Sequence, residues 1–257
     1  MSAASLTRLI AGRAQEAATA LWLYRQLVRQ RRAYARAGRD RRRPSELVEE
    51  AGAVLMIKDH ELEEVRVATG RVAASQKADE ILGFLDRVEA LGPRRVCEIG
   101  TSAAGTLYLL SRVAAADAVL VSVDLETPPH LAAARRRLGR PGQRVVSIAG
   151  DSHSPATLER VRGELGGEAL DVLFLDGDHS YEGVRCDFEL YAPLVRPGGI
   201  VGLHDIQEDF ATRHGAPTPS ISGDVPGYWV ELRAGRRTEE LIADPEQDGY
   251  GIGVVYI

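Results

Sequence analysis

Lysine is almost absent: of 32 basic residues only Lys58 and Lys77 are lysines, and the rest are arginines. With many Ala and Gly, that usage reflects GC-rich coding and excludes no function. Cysteine is scarce too, with Cys97 and Cys186 alone in 257 residues. Two thiols make no disulfide framework, and neither has a partner at metal-ligand spacing, so both are expected to be small packed residues. No run approaches the roughly 20 apolar residues needed to cross a bilayer. The longest early apolar piece, residues 17–24, runs into Arg25. No secretory leader is expected from it, and the location it implies is cytoplasmic.

What is present is ordinary globular composition, 44% hydrophobic and 27% charged. That excludes a disordered or collagen-like chain. The length suits one large domain or one domain with an appendage. The net charge of −5 is unevenly spread. Residues 1–43 carry 11 Arg against Glu16 and Asp40, a balance of +9, which leaves −14 on the other 214 residues. Leu6, Leu9, Ile10, Ala14, Ala17, Leu21, Tyr24 and Val28 recur at helical spacing. They predict an amphipathic helix ending at Arg41–Arg43 and Pro44. Contact with nucleic acid or a membrane surface is one reading of such a helix. The plainer reading is a helical extension that packs on the acidic body or a neighbouring subunit, because Tyr34 is the only aromatic inside the Arg cluster. We expect a helical extension over residues 1–74 that supports a homo-oligomer, with no membrane or nucleic-acid partner.

Gln76 to Leu91 reads as a helix with one apolar stripe, stopped at Gly92-Pro93. Short apolar runs then alternate with helical pieces. The runs are Val96–Ile99, Val119–Val123, Val145–Ala149, Val172–Leu175 and Ile200–Leu203. Between them lie Gly105–Ala115, Pro129–Leu138, Pro155–Leu165 and Gly183–Leu194. That alternation predicts an α/β fold with a doubly wound, mostly parallel sheet covered on both faces. Residues 206–226 read as a loop, Tyr228–Leu232 as a short helix, and Glu240–Ala243 with Gly251–Ile257 as an antiparallel hairpin at the sheet edge.

Ligands of such sheets bind outside the carboxyl ends of the strands. The first strand end reads Glu98-Ile-Gly100-Thr101-Ser102-Ala-Ala-Gly105, a sharp turn that opens a helix. It is not the dinucleotide fingerprint, whose second Gly is missing at Ser102. The second strand ends in Asp124, a carboxylate placed to bind ribose hydroxyls or, equally, to cap a turn. The third ends in Asp151-Ser152, which could meet an adenine edge or cap the next helix. The fourth ends Asp176-Gly177-Asp178-His179-Ser180-Tyr181, the fifth His204-Asp205. Three carboxylates and two imidazoles sharing a crevice suit a divalent cation and a proton acceptor near neutral pH.

Taken together, these strand ends and the Pro197-Gly-Gly-Ile run before His204-Asp205 resemble class I S-adenosylmethionine-dependent methyltransferases over about residues 75–257. More closely they resemble the small-molecule O-methyltransferases that include macrolide sugar methyltransferases and cephalosporin-hydroxylase-like proteins. The resemblance implies a seven-stranded Rossmann-like sheet and S-adenosylmethionine as cofactor. It puts the methionine part on Glu98, Gly100, Thr101, Ser102 and Gly105, the ribose on Asp124 and the adenine on Asp151 and Ser152. It makes His179 the general base and Asp176 a magnesium ligand. The family's second metal pair is Glu-Asp. Here it is His204-Asp205, a softer pair that weakens the case for magnesium and opens manganese, iron or no metal.

The acceptor implied is a hydroxyl of a glycosylated small molecule in antibiotic biosynthesis, with Tyr181, the 206–226 loop and Trp229 as candidates to cover it, though Trp229 reads more readily as core. A phenolic or catechol hydroxyl, a nitrogen, and a cofactor-binding partner protein without turnover stay open as alternatives. Nucleic-acid methylation is disfavoured, since the −14 body would repel a phosphate backbone.

Overall fold

The computed structural model describes residues 76–257, apart from 103, 126–134, 137 and 219. The expected extension over 1–74 and most of the expected Pro129–Leu138 helix lie outside the described residues.

In chain order the elements are α1 (Ala78–Leu91), β1 (Arg95–Ile99), α2 (Gly105–Val113), β2 (Val119–Asp124), β3 (Arg144–Ala149), α3 (Pro155–Leu165), β4 (Leu170–Leu175) and α4 (Tyr181–Tyr191). A 3₁₀ turn, Ala192–Leu194, then leads into β5 (Val195–His204), α5 (Phe210–His214), α6 (Val225–Arg233), β6 (Thr238–Leu241) and β7 (Ile252–Tyr256). The strands form one seven-stranded sheet in the order β3-β2-β1-β4-β5-β7-β6. The first five run parallel, and β7 is antiparallel to both of its neighbours.

The parallel strands are apolar on both faces because each face carries helices. Val96, Leu120, Val172, Phe174 and Ile200 pack into one layer with α1 and α2. Their neighbours Cys97, Val121, Leu173 and Val201 face the other layer, with α3, α4 and α6. Cys97 is buried and Cys186 half-buried, both as free thiols. Burial also pushes the Cys97 thiol far up, as suits a packed and unreactive side chain.

Three local expectations change. The 206–226 loop contains the helix α5, whose start is capped where the Asp209 carboxylate accepts from the Thr212 N–H at 2.8 Å. The short helix expected at Tyr228–Leu232 is the nine-residue α6, opened by Val225-Pro226 in its first turn. In the terminal pair, β7 is the inner strand against β5 and β6 is the edge. That edge carries Glu239 and Glu240, paired with Arg87 and Arg233, and charge there disfavours pairing with another chain. No helix among the described residues is long and apolar enough to cross a membrane.

Candidate active site

Parallel strand order brings the carboxyl ends of β1, β2, β3, β4 and β5 to one rim, and backbone bonds lock them together there. The Gly100 N–H donates to the Val123 carbonyl, the Gly150 N–H to Asp124, and the Asp176 N–H to Ile99, all at 2.9 Å. Gly100 sits at φ +82°, and a Cβ there would lie 1.9 Å from the Asp176 carbonyl oxygen. Only glycine allows the first loop to lie that close to the fourth strand end.

The Gly100–Gly105 loop is strained: Ser102 (φ 41°) and Ala104 (φ 61°) hold positive φ without being glycine. Ala104 offers no side-chain cap to α2. Glu98, at the end of β1, is buried, and its Oε2 has no hydrogen-bond partner among the described residues. Burial pushes its carboxyl well above the usual range, and the nearby Asp176 charge adds to that. A helix start without a side-chain cap and a buried carboxyl with one unpaired oxygen fit the carboxylate and ammonium of an amino-acid moiety. Thr101 is turned inward, accepting from the Ser122 hydroxyl at 2.7 Å.

Asp124 already has protein partners. Its Oδ2 accepts from the Ser102 N–H and from Arg135 Nη2, both at 3.0 Å, while Arg135 also donates to the Ser102 carbonyl at 2.5 Å. Sequence reasoning missed Arg135, since nothing in the run Arg135–Arg137 marks which arginine turns inward. Asp151 is exposed and accepts from the His153 N–H at 2.9 Å. Ser152 faces the protein: its hydroxyl bonds the buried Asp187, and its carbonyl accepts from the Tyr191 hydroxyl at 2.9 Å. Neither caps α3, whose N-cap position is Ser154.

The fourth and fifth strand ends meet. Ligand atoms of Asp176, His179 and Asp205 lie within 4.8 Å of one another. His179 Nε2 is 3.6 Å from Asp176 Oδ1 and 3.6 Å from Asp205 Oδ2. Asp205 points its carboxylate inward from a left-handed backbone (φ 61°) that Asp tolerates better than most residues. The hydrogen bond to Asp176 raises His179 to about 9, against the effect of burial and with help from the Asp205 charge. Burial alone would raise the Asp176 carboxyl, but His204 and His179 beside it hold it below the usual carboxylate range.

This trio differs in one member from the expected Asp176–His204–Asp205 set. His204 is the last residue of β5 and is buried. Its Nδ1 lies 3.1 Å from both Asp176 Oδ1 and Asp205 Oδ2, and its Nε2 has no partner among the described residues. Those two charges outweigh burial and raise His204 well above its ordinary value. A protonated imidazole between two carboxylates is a counter-charge for them, while His179 completes the close trio. Two carboxylates and an imidazole converging this closely fit a divalent cation.

Asp178, expected in the crevice, is folded into the turn before α4, where it accepts from the Ser180 N–H at 2.9 Å. Tyr181 donates to Glu231 on α6 and stacks edge-on against Tyr228 at 5.7 Å. The expectation that Trp229 covers an acceptor is corrected. It is 2% exposed, lies against Gly253 of β7, and donates Nε1 to Glu240 at 2.6 Å, so α6 spends its largest side chain on the core. Ile221, whose carbonyl oxygen meets His179 Nδ1, is 72% exposed.

Residues 97–206 match a family described as "Methyltransferase domain". A "Putative O-methyltransferase" of Mycobacterium avium is 28% identical over 191 residues, covering 70% of this chain and 73% of its own. The mycinamicin VI 2''-O-methyltransferase of Micromonospora griseorubida is 30% identical over 110 residues, 42% of this chain and 27% of its own. The O-methyltransferase from Bacillus cereus, solved in complex with S-adenosylhomocysteine, superposes with a TM-score of 0.54 over 81% of this chain and 96% of its own, at 20% identity. The family match marks residues 97–206 as similar to a methyltransferase domain, and the sheet has the fold of the Bacillus cereus enzyme. Both relatives are O-methyltransferases by name.

Proposed function

We propose that the protein transfers a methyl group from S-adenosylmethionine to a hydroxyl of a glycosylated small molecule. The observation that carries this reading is the convergence of Asp176, His179 and Asp205 against the Gly100 loop. A sugar hydroxyl is a very weak acid, so its methylation needs a base and a stabilised alkoxide. A site built only to bind cofactor has no use for that cluster.

Bound S-adenosylmethionine would supply a methyl carbon on a sulfonium, and S-adenosylhomocysteine leaves once the C–O bond has formed and the C–S bond has broken. The chain's own part is to bind, align and deprotonate. The start of α2 and the Glu98 carboxyl hold the amino-acid end, and Asp124, fixed by Arg135, stands at the ribose position. His179 takes the hydroxyl proton at Nε2. Asp176 and Asp205 hold His179 in place and stabilise its charge once protonated. A divalent cation held by Asp176 and Asp205, with His179 beside it, would stabilise the forming alkoxide. The exposed Ile221 offers apolar contact to the acceptor's non-reacting part.

The relative whose name specifies a 2''-hydroxyl supports a sugar acceptor over the shorter stretch that it matches. A rhamnosyl hydroxyl of the kind found in calicheamicin assembly is the narrowest form of the proposal and the first sugar to try. The test is methyl transfer to a panel of natural-product glycosides set against catechols and amines. Turnover confined to glycosides supports the reading, and turnover confined to catechols or amines replaces it.

A further inference from the structure

Gln76 lies just before α1 and is 1% exposed. Its amide joins two parts of the site that are far apart in the chain. Nε2 donates to Asp176 Oδ2 at 3.1 Å, 100 residues away. Oε1 accepts the Thr106 hydroxyl at 2.6 Å, 30 residues away. Thr106 is the second residue of α2, the helix that opens at the Gly100–Gly105 loop. Chemistry fixes the amide's orientation, because a flipped amide would set Oε1 against a carboxylate oxygen. The same bond assigns both oxygens of Asp176. Oδ2 is taken by Gln76, which leaves Oδ1 to His204 at 3.1 Å and His179 at 3.6 Å.

The residue is itself held firmly. One turn on, the buried Glu80 accepts from the Gly251 N–H at 2.9 Å, the Ala243 N–H at 3.1 Å and Gln247 Nε2 at 2.7 Å. Those bonds pin the start of α1 to the segment that carries Tyr250, whose ring meets His204 edge-on at 5.9 Å.

We infer that Gln76 is a positioning residue for the Asp176 carboxylate. It fixes the rotation of that side chain so that Oδ1 is presented to a divalent cation held together with Asp205, beside His179. The inference rests on the methyl-transfer reading only for the purpose that the cation serves. A partner that orients a metal-ligating carboxylate is worth about 10–100-fold in metal affinity.

The test uses the full chain and two probes, Mn²⁺ followed by electron paramagnetic resonance and S-adenosylhomocysteine followed by calorimetry. Gln76→Leu keeps the shape and loses both bonds, Thr106→Val loses the helix side alone, and the double variant leaves no orphaned hydroxyl if the single one folds poorly. Gln76→Leu and the double variant should bind Mn²⁺ about tenfold or more weaker. Thr106→Val, which keeps the Gln76–Asp176 bond, should weaken Mn²⁺ binding less than Gln76→Leu does, and Gln76→Leu should still bind S-adenosylhomocysteine. Unchanged Mn²⁺ affinity in Gln76→Leu or in the double variant overturns the inference. Wild type that binds S-adenosylhomocysteine but no Mn²⁺ overturns it too, while leaving the methyltransferase reading intact. Wild type that binds Mn²⁺ but not S-adenosylhomocysteine counts against that reading instead.

Discussion

His179 is oriented by Ile221. The imidazole Nδ1 lies 2.8 Å from the Ile221 carbonyl oxygen, so Nδ1 carries the proton and Nε2 faces Asp176 and Asp205. The loop is seated closely behind the ring. The Asp224 N–H donates to the His179 carbonyl at 2.8 Å, and Gly223 (φ +57°) would bring a Cβ within 2.3 Å of that oxygen. This fixed tautomer leaves one nitrogen free to accept a proton at the place where the carboxylates can stabilise the charge.

His179→Ala should therefore reduce turnover of a glycoside about 10²–10⁴-fold while S-adenosylhomocysteine affinity stays within a few-fold. The base works only when neutral, and His179 is raised to about 9. Turnover of chelated protein should rise with pH until about pH 9. A flat pH–rate profile between pH 7 and 10 contradicts this role.

Ile221 keeps its carbonyl when the side chain is changed, so its two roles separate cleanly. Ile221→Ser should leave thermal stability unchanged, because the side chain is already exposed. It should raise KM for the glycoside by roughly three- to tenfold, the loss of one buried apolar contact, with kcat nearly constant. A change in kcat at constant KM would place Ile221 with the base and not with the acceptor.

Asp124→Asn tests the ribose position. Arg135 is deeply buried, and Asp124 is its carboxylate partner at 3.0 Å. Loss of that charge should cost about 3 kcal/mol and lower the melting temperature. More specifically, added S-adenosylhomocysteine should raise the melting temperature of wild type but barely that of the variant. An equal ligand-induced rise in both proteins removes Asp124 from the cofactor site.

Much of this was legible in the sequence, and the reason is topological. In a parallel sheet the short apolar runs predict the strands, and the residues just after them must share one rim. Glu98, Asp124, Asp151, Asp176 and Asp205 could be placed that way. What was not legible depends on partners distant in the chain or on which way a strand end turns. His204 and Asp205 are adjacent in sequence, but the first is the inward residue of β5 and the second turns out of the strand at positive φ. Gln76 looks like any polar residue at a helix start until Asp176 and Thr106 are seen on either side of it. Trp229 reads from the sequence as core or as acceptor cover, and only its contact with Gly253 and its bond to Glu240 decide for the core.

Asp187 gives a pH test of the fold away from the catalytic cluster. Burial raises its carboxyl to about 6, against the hydrogen bond from Ser152. A carboxyl that binds its proton more tightly in the folded state stabilises below its unfolded value, near about 4, and that contribution is lost as pH rises to about 6. Asp187→Asn carries no such group. Its stability advantage over wild type should grow from near zero at about pH 4 to as much as about 3 kcal/mol at about pH 6.5, read by chemical denaturation. An advantage that does not change between the two pH values contradicts the shift.

The most direct test of the central claim is calorimetric titration of S-adenosylhomocysteine into chelated protein, repeated with magnesium present. The account predicts saturable binding with a Kd on the order of micromolar in both conditions. No heat of binding in either condition would contradict it and leave the Gly100–Gly105 turn without its ligand.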